Sequence, residues 1–139
     1  MTSTPLKVLY VEDYAPVAAL VRETLRRRAP EIELDVVATV AQAIAQLELS
    51  RHAPGRVYYD VVLTDLNLPD GQGLEVLAHV RDRRWPLAVV ILSASADEAG
   101  AAAALSAAAD GYVPKRDDYL MQLPSALRAA AAKFRSAQE

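Results

Sequence analysis

The sequence predicts an α/β domain in which a doubly wound sheet of five parallel strands is covered by helices on both faces. Short β-rich runs alternate with helical stretches five times along the chain. The strand-like runs are continuously apolar, as expected for strands buried on both faces of a parallel sheet. Acidic, hydroxyl and basic residues follow four of these runs, at the strand ends where such sheets bind ligands.

Length and composition agree with one globular domain over residues 1–139, with a core of about 5–137. Hydrophobic residues make up 53% of the chain and charged residues 24%. The net charge of −3 and the absence of basic runs argue against a nucleic-acid or membrane surface. No segment approaches the ~18 apolar residues of a membrane span. With no cysteine for disulfides or thiolate metal sites, a cytoplasmic location is the expectation.

The first two strand–helix pairs occupy residues 6–49. Residues 6–11 are apolar and β-branched, which favours a buried strand, and Pro16 suits the first turn of the helix that follows. Residues 33–39 are the second predicted strand, and residues 40–49 its helix. The first helix carries an apolar stripe at helical spacing, formed by Val17, Leu20, Val21, Thr24 and Leu25.

The third pair begins with residues 57–64, the run predicted to be the most buried strand. Residues 65–73 are rich in Asn, Pro, Asp and Gly and are predicted to form a loop. Residues 74–84 follow as a helix, and residues 87–92 as the fourth apolar strand.

The fourth helix and the fifth strand come next. The alanine-rich residues 96–109 are predicted as a helix, and residues 111–114 as a short strand. Pro124 is expected to mark the first full turn of the last helix, after an irregular turn. The count of five pairs in strict alternation predicts the flavodoxin-like (βα)5 arrangement. One face of the last helix is apolar, with Leu120, Leu123, Leu127, Ala130 and Phe134.

Polar side chains follow four of the predicted strands. Glu12 and Asp13 follow the first strand, Asp65 the third, Ser93 the fourth and Lys115 the fifth. The carboxyl ends of parallel strands meet at one edge, so these groups are expected to lie together. Three carboxylates in one cleft repel one another unless a cation is present, and Mg²⁺ binds through a few carboxylates and waters. The sequence therefore predicts a Mg²⁺ site of Glu12, Asp13 and Asp65.

The remaining polar groups suit a phosphoryl group. Lys115 supplies a mobile positive charge, and Ser93 supplies a hydroxyl. Backbone N–H groups near Asn67 and Ala94 are placed to complete a cradle for phosphoryl oxygens. Because aspartate is an established covalent nucleophile for phosphate, this combination is typical of phosphoryl transfer to Asp65.

Four motifs make the chain resemble the receiver domains of bacterial two-component response regulators. They are LKVLYVED at 6–13, VVLTDLNLPDGQGLEVL at 61–77, VVILSAS at 89–95 and DGYVPK at 110–115. Each motif alone is weak, but in this order and spacing they are specific and cover essentially the whole chain. The resemblance implies a switch that phosphorylates and slowly dephosphorylates itself with Mg²⁺, rather than a turnover enzyme.

The resemblance also implies roles for the site residues. Asp65 resembles the phosphoacceptor, Asp13 the direct metal ligand, and Glu12 its neighbour that acts through water. Asn67 resembles the residue whose backbone carbonyl binds Mg²⁺, and Lys115 the lysine that pairs with the phosphoryl group.

Further positions match the switch and the loop of this family. Ser93 resembles the residue whose hydroxyl moves to the phosphoryl group, and Tyr112 the aromatic residue that turns inward with it. Leu68, Pro69 and Gly73 match the loop after the acceptor. For Tyr112, a fixed half-buried aromatic is an equally good interpretation.

Two residues depart from the family pattern. Glu12 stands where aspartate is commonest, and its longer side chain still reaches a metal-bound water. Arg116 follows Lys115 where the family usually has proline, often after a cis bond. A cis bond before a non-proline residue costs about 3 kcal/mol, which favours a trans Lys115–Arg116 bond but leaves its isomer open.

The implied phosphoryl donor is a histidine kinase or a histidine phosphotransfer protein, and the implied output is contact with a downstream protein. Only one helix follows Lys115, so no direct nucleic-acid binding is expected within this chain. A single-domain regulator and a piece of a larger one both stay open. A homodimer through the last helix and its neighbours is implied by the resemblance alone.

Two other functions stay open. A phosphatase of the haloacid-dehalogenase kind would have a second aspartate two residues after the nucleophile, where this chain has Asn67. An adaptor would keep the receiver shape without phosphorylation. Simpler roles also compete, since Asp65 is suited to a turn, and Glu12 and Asp13 to capping the first helix.

Overall fold

The structure, a computed structural model, describes residues 5–50, 58–93, 109–116 and 118–138. Its strands are β1 (Leu6–Val11), β2 (Ile32–Val37), β3 (Val61–Asp65), β4 (Asn67–Leu68), β5 (Gly71–Gln72), β6 (Ala88–Ser93) and β7 (Gly111–Pro114). Its helices are α1 (Ala15–Arg28), α2 (Val40–Leu49), α3 (Gly73–Asp82) and α4 (Tyr119–Gln138).

Five of the strands form one parallel sheet in the order β2-β1-β3-β6-β7, and β4 pairs with β5 in a short antiparallel hairpin. The chain winds outward from β1 in one direction to β2 and in the other direction to β3, β6 and β7. This reversal leaves a crevice at the carboxyl ends of β1 and β3, where ligands bind in open α/β sheets. The predicted doubly wound parallel sheet is confirmed.

Helices cover both faces of this sheet. Val8 and Tyr10 of β1 pack in the layer formed with α1 and α4, while Leu9 and Val11 pack in the layer formed with α2 and α3. All four side chains are fully buried. The strands are therefore apolar at consecutive positions because each face of the sheet has its own core.

The third strand begins at Val61, later than predicted, and Val57 lies outside the described residues. Asp60 donates its backbone N–H to the Lys7 carbonyl at 2.8 Å, and its side chain accepts from the Lys7 N–H at 2.9 Å. A side-chain oxygen thus takes the place of a backbone carbonyl, and the regular ladder starts only after Asp60. At its other end the strand includes Asp65, which the sequence placed in the loop.

Two predictions for the helices were wrong. Pro124 lies inside α4 and not in its first turn, because α4 begins at Tyr119; burial of Leu123 and Leu127 offsets the hydrogen bond that proline removes. Leu20 of the predicted α1 stripe is 50% exposed. The buried positions begin at Ala18, and Leu20 lies roughly 200° around the helix from it.

Other predicted bounds differ by one or two residues. Strand β2 covers 32–37 and not 33–39, β6 covers 88–93 and not 87–92, and α3 covers 73–82 and not 74–84. The predicted helix at 96–109 lies outside the described residues except for Ala109, which is buried and not helical. Among the described residues, no helix combines the length and the apolar character needed to cross a membrane.

The packing of α2 can be tested with two leucines of the same helix. Leu47 is fully buried, whereas Leu49 is 81% exposed. Leu47→Ala should lower the free energy of unfolding by about 2–5 kcal/mol because it leaves a cavity under the helix. Leu49→Ala should change it by less than about 0.5 kcal/mol. Urea denaturation followed by circular dichroism measures both, and equal losses would contradict the assigned packing.

Candidate functional site

The predicted polar residues meet at the carboxyl edge of the sheet. Glu12 and Asp13 follow β1, Asp65 ends β3, Ser93 ends β6 and Lys115 follows β7. We call these five residues the strand-end site. Glu12, Asp65 and Ser93 are buried, Lys115 is half-buried and Asp13 is exposed. The site therefore has a buried floor with one carboxylate at its mouth.

Lys115 joins two of the carboxylates. Its ammonium lies 2.7 Å from Glu12 Oε1, to which it donates a hydrogen bond, and 2.7 Å from Asp65 Oδ1. The contact with Asp65 is an ion pair outside hydrogen-bond geometry. With 13% of its side chain exposed, Lys115 is the positive charge that offsets two buried carboxylates from separate strands.

Burial sets the protonation of this site. It raises the pKa of Asp65 from 3.8 to about 8, together with the adjacent Glu12 carboxylate and against the effect of Lys115. Burial acts in the same direction on Glu12, but hydrogen bonds with Asp65 and Lys115 outweigh it and lower the pKa of Glu12. Burial and the adjacent carboxylate thus favour the neutral form of Asp65, whereas the hydrogen bonds favour the ionised form of Glu12.

Three carboxylates of the site suit a metal ion. One oxygen each from Glu12, Asp13 and Asp65 lies within 4.8 Å of the others. Oxygen ligands of this kind fit a hard divalent cation such as Mg²⁺, which keeps several waters and uses few carboxylates. A cation here would favour the ionised form of Asp65, because an opposite charge offsets the cost of burial.

Both oxygens of Glu12 are held by the protein. Tyr10, two residues earlier on β1, donates its hydroxyl to Glu12 Oε1 at 3.1 Å. The backbone N–H of Tyr14 donates to Glu12 Oε2 at 3.2 Å. Tyr10 was not among the predicted site residues, although a tyrosine two residues before an acid, in an otherwise aliphatic run, is visible in the sequence.

The chain after Asp65 returns against the end of β3. The Leu66 N–H donates to the Leu92 carbonyl at 2.7 Å, and the Gly73 N–H donates to the Leu66 carbonyl at 2.8 Å. A Cβ atom added to Gly73 would lie 2.2 Å from the Asp65 carbonyl oxygen. Glycine is therefore required where the hairpin enters α3, and its close approach fixes the backbone that carries Asp65.

Asp70 ties this hairpin to α2. Its carboxylate accepts the backbone N–H groups of Val40 at 2.8 Å and Ala41 at 3.0 Å. These N–H donors lower the pKa of Asp70, and Thr39 caps the same helix end by accepting the Gln42 N–H. The sequence shows Asp70 only as a turn residue, because its partners lie about 30 residues away.

Asp110 fixes the start of β7 on the other side of the site. Its carboxylate accepts the Val89 N–H at 2.8 Å and pairs with the Arg81 guanidinium of α3 at 2.5 Å. Arg81 also donates to the Leu87 carbonyl at 3.2 Å. The strand that leads to Lys115 is thereby anchored to α3 and β6.

The other predicted site residues that the structure describes lie at or near the ends of β6, β7 and β4. The Ser93 carbonyl accepts the Lys115 N–H at 2.7 Å, which brings the ends of β6 and β7 together. Tyr112 is half-buried on β7 opposite Ile91, and both interpretations of its role stay open. Asn67 is exposed at the start of β4. Ala94 lies outside the described residues.

The bond after Lys115 is trans, since no peptide bond is cis in the part of the chain that the structure describes. The absence of proline after Lys115 thus coincides with the isomer that the sequence favoured.

The chain is similar to a known family of proteins. Residues 8–123 match the family described as the response regulator receiver domain. The transcriptional regulatory protein KdpE of Mycobacterium tuberculosis (strain ATCC 25618 / H37Rv) is 34% identical over 125 residues, which cover 87% of this chain and 50% of KdpE. The nitrate/nitrite response regulator protein NarP of Escherichia coli (strain K12) is 32% identical over 133 residues, which cover 93% of this chain and 56% of NarP.

A solved structure has the same fold. The CheY-like response regulator receiver domain protein from Methanospirillum hungatei JF-1 aligns with a TM-score of 0.78 at 19% identity, covering 96% of this chain and 99% of that one. The chain spans about half the length of the curated relatives it matches.

The close approach at Gly73 gives a matched pair of substitutions. Gly73→Ala should lower the free energy of unfolding by about 1–3 kcal/mol, because the added methyl group must displace the backbone of Asp65. Gly111→Ala is the control, since a Cβ atom there would meet no described residue closer than Val90 at 3.4 Å. Urea denaturation compares the two variants, and a smaller loss for Gly73→Ala would contradict the close approach.

The raised pKa of Asp65 predicts a pH dependence. Between its ordinary value of 3.8 and about 8, the folded state binds the extra proton, so this group lowers stability as pH rises through that window. Asp65→Asn removes the effect. The free energy of unfolding of the variant should therefore exceed that of the unmutated protein by an amount that grows as pH rises through this window. The measurement is chemical denaturation with chelator at several pH values. A gain that does not vary with pH would exclude a raised pKa.

Proposed function

This chain belongs to the family of response regulator receiver domains of two-component systems, and we propose that it switches by accepting a phosphoryl group on Asp65. The observation that carries the assignment is the position of the Lys115 ammonium, 2.7 Å from the carboxylates of both Asp65 and Glu12. The family is a phosphoryl-accepting switch and broadly not a turnover enzyme.

In the proposed step, a carboxylate oxygen of Asp65 attacks the phosphorus of a phosphohistidine. The new P–O bond forms as the P–N bond breaks, and the imidazole nitrogen keeps the electron pair of the broken bond. The product is an acyl phosphate on Asp65. Hydrolysis of this bond by water returns the aspartate and inorganic phosphate, so the domain also resets itself slowly.

Each side chain of the strand-end site has a part in this step. Asp65 must lose its proton before it attacks, and a divalent cation promotes that loss. Lys115, already paired with Asp65, is placed to pair with a phosphoryl oxygen once the carboxylate oxygen is esterified. Ser93 at the end of β6 is proposed to contact the same group through its hydroxyl, and Ala94 through its backbone N–H.

Glu12, Asp13, Asp65 and the backbone carbonyl of Asn67 are proposed to hold Mg²⁺. The three carboxylates fit this ion in ligand type and in their spacing of at most 4.8 Å. When bound, Mg²⁺ supplies positive charge next to the phosphoryl oxygens as transfer proceeds. The exposed Asp13 leaves one side of the site accessible to the ion and to a donor.

The proposed donor is a histidine kinase or a histidine phosphotransfer protein in the cytoplasm. KdpE and NarP, whose printed names make them a transcriptional and a nitrate/nitrite regulator, match this chain over about half of their length. A downstream protein or domain is therefore the proposed recipient of the signal. Ser93 and Tyr112 are proposed to carry the conformational change, and homodimerisation through α4 stays a prediction.

Phosphorylation can be tested by intact mass after incubation with acetyl phosphate and Mg²⁺. The unmutated chain should gain one phosphoryl group, and the gain should disappear with chelator or in Asp65→Asn. Asp82→Asn, which replaces an exposed aspartate of α3, is the matched control and should be phosphorylated normally. Addition that persists in Asp65→Asn would place the acceptor elsewhere. If neither acetyl phosphate nor a histidine kinase gives any addition, the adaptor function is favoured.

A further inference from the structure

Tyr10 is a large, fully buried side chain on β1, where the neighbouring core positions are aliphatic. An aliphatic residue would fill this position without a polar group to satisfy. A buried tyrosine hydroxyl needs a hydrogen-bond partner, and here that partner is Glu12 Oε1 at 3.1 Å. Because residues two apart on a strand point to the same side, the phenol reaches Glu12 from inside the core.

Glu12 needs more support than an aspartate would at the same place. It has one more rotatable bond, and fixing it costs additional side-chain entropy. The Tyr14 N–H holds Oε2 at 3.2 Å, and Lys115 shares Oε1 with the Tyr10 hydroxyl. Lys115 is also paired with Asp65, so its contact with Glu12 is not independent of events at the acceptor.

The contact from Tyr10 has a different character. Its ring is packed in the layer of the core formed with α1 and α4, so the position of its hydroxyl is fixed by packing and not by the state of Asp65. It therefore holds Glu12 whether or not Lys115 moves.

We propose that Tyr10 is a positioning residue that orients the Glu12 carboxylate for Mg²⁺ binding at the strand-end site. The proposal rests on the proposed function, since it assumes that Glu12 takes part in holding the ion. It adds the Tyr10 hydroxyl, a buried hydrogen-bond donor to Glu12 that was not among the predicted site residues. Groups that orient metal ligands in this way commonly change metal affinity by 10- to 100-fold on mutation, about the range expected here.

The test is the dissociation constant of Mg²⁺, measured by calorimetry without any phosphodonor. Tyr10→Phe removes only the hydroxyl and should weaken Mg²⁺ binding by about tenfold. Phosphorylation by acetyl phosphate should slow at low Mg²⁺ and recover at saturating Mg²⁺, because the variant lacks orientation of a ligand and not the acceptor. Unchanged Mg²⁺ affinity in folded Tyr10→Phe would overturn the proposal, as would a chain that binds no Mg²⁺ at all.

Tyr59→Phe is the matched control. Tyr59 is also buried, and its hydroxyl also donates to a carboxylate, that of Asp35 at 2.8 Å, but away from the strand-end site. Both variants should lose stability in urea, whereas only Tyr10→Phe should lose Mg²⁺ affinity. Equal losses of affinity would indicate a general effect of destabilisation and would overturn the assigned role.

A double-mutant cycle tests whether Tyr10 acts through Glu12. In a Glu12→Gln background, Tyr10→Phe should cause no further loss of Mg²⁺ affinity, because the carboxylate that it orients is gone. Additive losses would overturn the route through Glu12. Should Tyr10→Phe fail to fold, ¹³C-labelled tyrosine in the unmutated chain gives a second readout: the Tyr10 ring signal should shift as Mg²⁺ binds, and that of Tyr59 should not. A Tyr10 signal that does not respond would overturn the proposal.

These outcomes are separate from the fate of the proposed function. A chain that binds Mg²⁺ through Glu12 and Tyr10 but is never phosphorylated would retain the positioning role and lose the phosphoryl-acceptor role. If the chain is phosphorylated on Asp65, but the unmutated protein and Tyr10→Phe bind Mg²⁺ equally well, the phosphoryl-acceptor role is retained and the positioning role is lost.

Discussion

Two carboxylates from different strands share one ammonium group at the edge of the sheet, with Lys115 2.7 Å from both Glu12 and Asp65. Removing charges from water is costly, and a buried group with no partner shifts its pKa until it is neutral. Here the compensation is partial, because burial still raises the pKa of Asp65 to about 8 while hydrogen bonds lower the pKa of Glu12. Lys115 alone therefore does not balance the carboxylates of the site, and a divalent cation can supply the missing positive charge.

This arrangement needs strand ends that do not move apart, and the surrounding structure provides that. Gly73 presses the returning hairpin against the Asp65 carbonyl, and Asp70 ties the hairpin to the start of α2. On the opposite side, Asp110 joins β7 to β6 and to Arg81 of α3. The acidic side chains lie on elements that are braced from both sides, as expected where ligands must be held to a fraction of an ångström.

A second layer lies beneath the acids. The longer first acid, Glu12, is accompanied by the Tyr10 hydroxyl and by the Tyr14 N–H, so its extra rotatable bond does not leave it loose. The floor of the site is therefore built into the hydrophobic core, and a change that looks like core packing at Tyr10 acts on a site residue. The contacts that hold the strand ends and the hydrogen bonds that orient Glu12 are therefore separate contributions to the geometry of the strand-end site.

The sequence by itself determined the doubly wound sheet and the edge at which its polar residues collect. Apolar runs and their alternation with helices are local patterns. Glu12 and Lys115 directly follow β1 and β7, and Asp65 and Ser93 are the last residues of β3 and β6. Tertiary structure alone decided the β4–β5 hairpin, the position of Pro124 inside α4 and the partner of Asp70 about 30 residues away. It also decided that Tyr10 reaches Glu12. These features depend on long-range hydrogen bonds and burial, which local propensity and periodicity do not encode.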